Sequence, residues 1–75
     1  MIRAYVVLWE DGTIIGMFDF EHLPRAGDEI NIPWPDDPYG IRIFDVNEVR
    51  HYAVGAPPIN GIASPATILR VTEIT

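Results

Sequence analysis

Seventy-five residues, no cysteine and a formal net charge of −6 describe one small domain, residues 1–75, with no disulfide, thiolate nucleophile or cysteine-based zinc site. The acidic balance opposes nucleic-acid binding, which depends on clustered basic side chains that neutralise phosphates. No run approaches the roughly 20 apolar residues that cross a bilayer.

All five basic residues are arginines, scattered at Arg3, Arg25, Arg42, Arg50 and Arg70. The absence of lysine, together with seven prolines, fits a GC-rich, bacterial coding composition. The N-terminal Met1-Ile2-Arg3-Ala4-Tyr5 has neither the charged region nor the cleavage site of a signal peptide, so a cytoplasmic location is expected. A chain this short buries only about 60% of the surface its unfolded form exposes. Core packing or association with another chain must therefore stabilise it.

Residues 2–9 are rich in β-branched and aromatic side chains and read as a strand. Asp11-Gly12 lies between two apolar runs, a strong hairpin signal, and residues 13–20 form the return strand. Both strands are apolar on both sides. Ile2, Ala4, Val6 and Leu8 face one way and Tyr5, Val7 and Trp9 the other; in the second strand Ile15 and Met17 are expected opposite Ile14, Phe18 and Phe20. A sheet with one wet face alternates, so both faces of this hairpin are expected to be covered.

Pro24 and Gly27 mark a turn. Residues 28–34 alternate cleanly, with Ile30, Ile32 and Trp34 on one side. Pro33 and Pro35 lack amide donors and place this strand at an end or an edge. A turn-rich loop follows, and residues 41–52 form the longest strand. The parity of its apolar residues changes, which predicts a β-bulge between Asp45 and Glu48. Residues 53–65 hold too many turn formers for a regular element and read as a functional or mobile loop. Residues 66–74 are the fifth strand. No helical periodicity appears. These elements predict an all-β fold: a small five-stranded antiparallel barrel of SH3-like type, or an open antiparallel sheet completed by dimerisation.

The segment Leu23-Pro24-Arg25-Ala26-Gly27-Asp28-Glu29-Ile30, followed by Ile43, Val46, Val49 and His51 and then Leu69 and Val71, resembles a pattern in short uncharacterised bacterial β proteins. These carry a Leu-Pro-Arg-x-Gly-Asp-x-Ile turn followed by a strand ending in Val-x-His. The resemblance spans about two thirds of the chain, supports the β fold and implies no particular activity. Within the motif, Asp28 is expected to accept backbone amides of the turn, leaving Arg25 exposed or ion-paired.

Chemistry-bearing residues are sparse. His22 and His51, with Glu21 and Asp19, have the ligand types of a zinc or iron site, but their spacing matches no ligand pattern. Ser64 sits in a proline-rich loop without a nucleophile elbow. Adjacent acids such as Asp36-Asp37 and Glu10-Asp11 read as solvated turn formers. Neither enzymatic chemistry nor a cofactor is expected. Trp34 and Tyr39, with Tyr52, are a candidate protein-contact patch, against the alternative that Trp34 plugs one end of a barrel.

The reading these observations support is a non-enzymatic interaction or adaptor domain that associates with itself, as a homodimer, or with another protein. Tyr5, Val7 and Trp9 of the two-faced hairpin are the expected contact residues. The alternatives are a metal- or small-ligand-binding protein or minor enzyme using His22 and His51 with acids, and a nucleic-acid-binding barrel using Arg42 and Arg50, which the net charge disfavours.

Overall fold

The computed structural model describes residues 1–74. Five strands form one sheet: β1 (Ile2–Leu8), β2 (Ile14–Phe20), β3 (Glu29–Pro33), β4 (Ile41–Tyr52) and β5 (Ala66–Glu73). Their order is β2-β1-β5-β4-β3. Three neighbouring pairs are antiparallel, but β1 and β5 run parallel, with Tyr5 beside Ile68 and Leu8 beside Val71. The expected all-antiparallel arrangement is thereby corrected to a mixed sheet. The reason is topological: β5 returns between β1 and β4, antiparallel to β4, and so lies parallel to β1.

The sheet curls strongly into a half-barrel that does not close. β2 and β3 are its two edges. Among the described residues no helix is present, and none is long and apolar enough to cross a membrane.

The inner face of the curl carries the main core. Ala4, Val6, Ile30, Ile32, Phe44, Val46, Leu69 and Val71 are buried there, with Ile15, Phe18, Phe20 and Trp34 packed against them. Burial of these side chains, each worth about 1.5–3 kcal/mol, is the main force holding the curl. A bulge between Val46 and Glu48 brings both Val46 and Val49 onto the inner side, within the segment where the parity change requires it. The side chain of the extra residue, Asn47, donates to Thr72 Oγ1 at 2.6 Å.

A second bulge was not anticipated. The β1–β2 register shifts between Val6 and Val7, pairing Val6 with Gly16 and Val7 with Ile14. Ile15 is the extra residue, and it packs with Phe18 and Phe20 on the inner core. Ile14 and Met17, opposite Val7 and Tyr5, face outward together. Simple alternation had placed Ile14 with the two phenylalanines and Ile15 with Met17; one inserted residue exchanges the two isoleucines.

Candidate functional site

The outer face is where sequence and structure diverge most usefully. Arg3, Tyr5 and Val7 of β1 share it with Ile14, Met17 and Asp19 of β2, with Ile68 and Arg70 of β5, and with Glu48, Arg50 and Tyr52 of β4, because cross-strand partners lie on one side of a sheet. Val7, an expected contact residue, is only 2% exposed. It belongs to a second buried cluster with Ile68 and with Ile62, which comes from the segment between β4 and β5.

That segment, residues 53–65, lies as a strap across the outer face. Ile59 and Ile62 exchange two backbone hydrogen bonds, of 3.1 and 2.7 Å. Asn60 and Gly61 between them have φ of 50° and 81°, which makes a two-residue hairpin of the type Asn-Gly favours. The tip reaches the β1–β2 turn: a Cβ added at Gly12 would stand 3.2 Å from Asn60 Nδ2. The hydroxyl of Ser64 donates to Ala56 O, tying the base of the strap. Ile59-Asn60-Gly61-Ile62 carries the Asn-Gly hairpin signature, which the surrounding Pro57, Pro58 and Pro65 mask in the sequence.

Between strap and sheet lies a cleft of about 180 Å³. Val7 and Ile68 line its depth, Ile59 and Asn60 contribute from the strap, and Arg50, Arg70 and Tyr52 supply its polar groups. On the other side of Tyr52 is a wider and shallower depression, of about 330 Å³, lined by residues that include Arg3, His51 and Thr67. Arg70 lies over the Trp9 ring at 4.4 Å. Arg50 donates through Nε to Glu48, and Arg3 pairs with Asp19 at 2.9 Å.

The outward side of β2 is apolar and open. Ile14 and Met17 are 41% and 46% exposed, and Trp9 at the end of the hairpin is similarly accessible. Tyr5 is half-buried beside the outer cluster. Of the three contact residues expected from the sequence, only Trp9 is substantially exposed; Met17 faces away from Phe18 and Phe20 as alternation expects, and Ile14 is the outward apolar position that alternation misassigned.

The aromatic patch expected around Trp34 does not assemble. Trp34 packs on the inner core beneath Arg42, whose guanidinium carbon is 4.4 Å from its ring centre. Arg42 in turn donates through Nε to Glu73 at 2.6 Å. Trp34 is therefore partly buried against the core and not part of an exposed patch. Tyr39 is 89% exposed in the following turn, and Tyr52 is on the outer face with the second cluster.

In the 23–30 motif, Asp28 Oδ2 accepts the Arg25 N–H at 2.8 Å and the Asp28 N–H donates to Arg25 O at 3.0 Å. Gly27, at φ 95°, donates to Val46 O at 2.8 Å, and Pro24 is buried. The motif thus fixes where β3 enters the sheet. His22 is exposed, 3.9 Å from Glu21, and His51 Nδ1 is 3.4 Å from Thr67 Oγ1. Among the described residues no group of three or more His, Asp or Glu side chains gathers in metal-binding geometry. Arg42 and Arg50, the candidates for phosphate contact, are each ion-paired to a glutamate.

Compared with known proteins, the chain matches no family model, no curated protein sequence and no solved structure.

Proposed function

We propose that this domain is a non-catalytic interaction module whose first partner is a second copy of itself, joined through the β2 edges. The observation that carries the reading is the difference between the two edges of the open sheet. Proteins blunt exposed edges with charges, prolines and short strands. β3 is blunted in this way: five residues long, entered through Asp28 and Glu29, and ended by Pro33. β2 is not. It has seven residues, Ile-Ile-Gly-Met-Phe-Asp-Phe, with no proline and one charge, and that charge, Asp19, is paired with Arg3.

Within the strand the edge is neutral, because Asp19 is paired with Arg3, so two chains of net charge −6 meet there with less repulsion than elsewhere on the surface. The flanking Asp11 and Glu21 lie outside β2 itself. Pairing β2 with the partner's β3 would build an open-ended fibre, but Pro33 and the acids oppose it. Antiparallel pairing of β2 with β2 closes at two copies. It would continue the sheet across the pair and cover Ile14 and Met17. The reading keeps the cytoplasmic setting expected from the sequence.

The test is molecular mass by light scattering across a concentration series. The wild-type chain should be a dimer, and Ile14→Lys/Met17→Lys should be a monomer with an unchanged β spectrum. A wild-type monomer at every concentration overturns the reading. A dimer that survives the double substitution overturns the choice of edge.

A further inference from the structure

The cleft beneath the strap has the composition of a binding site for a small organic anion. Two of the chain's five arginines, Arg50 and Arg70, meet at this one cleft although the protein as a whole is strongly acidic. Among the described residues the Arg70 guanidinium makes no ion pair. It is held instead over the Trp9 ring at 4.4 Å; stacking of this kind fixes a guanidinium plane while leaving its N–H donors available. Arg50 uses Nε for Glu48, which leaves its terminal amino groups for another acceptor. Asn60 adds an amide from the strap.

Val7 and Ile68 at the base of the cleft are buried, and the apolar surface still open in it is that of Ile59 on the strap and the half-buried Tyr52 ring. A ligand that satisfies both parts has a charged end and an apolar body. We infer that the cleft binds a small monocarboxylate, its carboxylate held by Arg70 and Arg50 and its hydrocarbon part resting between Ile59 of the strap and the Tyr52 ring. A planar carboxylate matches the two-pronged donor pattern of a guanidinium. The volume of about 180 Å³ lies below the roughly 300 Å³ at which drug-sized pockets begin. The net charge of −6 disfavours polyanions through long-range repulsion. This inference is independent of self-association through β2.

The experiment is an amide and indole NMR titration with phenylacetate, using phenylacetamide and inorganic phosphate as controls. Phenylacetate should give saturable shifts at Val7, Asn60, Ile68 and Arg70 and at the Trp9 indole. Arg70→Gln should weaken binding about tenfold or more, the loss expected for a charge-assisted hydrogen bond. Arg50→Gln, which leaves the stack on Trp9 intact, should also weaken it, and both variants should keep the dispersed spectrum of the folded chain. Any one of three results overturns the inference: no saturable shift at these residues up to the solubility limit, equal affinity for the neutral amide or for phosphate, or unchanged affinity in both folded arginine variants.

Discussion

Ile62, on the strap between β4 and β5, closes over Val7 of β1 in one buried cluster with Ile68. A hydrophobic position on the outer face of the sheet is thereby removed from solvent by the chain itself. The strap also reaches the β1–β2 turn, where Gly12 and Asn60 meet. One segment thus covers part of the apolar outer face, roofs the cleft and braces the hairpin that carries the open β2 edge.

Ile62→Ala should destabilise the fold by about 2–4 kcal/mol, the cost of truncating a buried isoleucine. For a domain of this size that is a large fraction of the total stability. Urea unfolding at fixed protein concentration measures it. A loss under about 0.5 kcal/mol, as for an ordinary surface substitution, would mean that the strap does not hold the outer cluster closed.

Gly12→Ala should cost about 1–2 kcal/mol, because φ at this position is 76° and a left-handed conformation penalises a Cβ by that order. The new methyl would also press on the Asn60 amide. Hydrogen exchange at Ile59 and Ile62 should accelerate along with exchange in the turn. Exchange unchanged in the strap would show the two segments to be independent.

Trp34→Ala should destabilise by roughly 2–3 kcal/mol, below the 3–5 kcal/mol of a fully buried aromatic, because the ring is only partly buried against the core. Trp34→Phe should recover most of the loss. An alanine variant as stable as wild type would return Trp34 to the role of a surface contact residue.

Stability should hold from neutral pH down to about pH 5 and fall as the solution becomes more acidic than about pH 4. The hydrogen bond from Arg3 holds the Asp19 carboxyl below its ordinary range, and the Thr13 amide does the same for Asp11. A carboxyl with a depressed folded-state pKa contributes stability above the unfolded value of about 3.9, and that contribution is lost as the pH drops through the folded value. Asp19→Asn should flatten part of the acid limb of the urea midpoint plotted against pH. An identical limb in the variant would remove the Arg3–Asp19 pair as a source.

Much of the strand content was legible locally. β4 runs over the expected residues, the bulge at Asn47 follows from the change of parity between Phe44 and Val49, and the Asp28 turn follows from the chemistry of a short carboxylate beside a glycine. The Ile15 bulge was not legible, because Ile14 and Ile15 are equally apolar and either can face the core. The sequence cannot tell them apart; the register against β1 does.

By itself the sequence determined that the chain makes five strands, where they turn and where the longest one bends, since these depend on backbone preferences and side-chain alternation over a few residues. Tertiary structure alone decided that β1 and β5 run parallel, that β2 rather than β3 is the unguarded edge, and that Val7 is covered while Met17 is not. Those outcomes depend on contacts between residues far apart in the chain. The strap's Ile62 fills the hollow over Val7 and Ile68, and no local pattern records which of the two-faced hairpin's apolar residues a distant segment will cover.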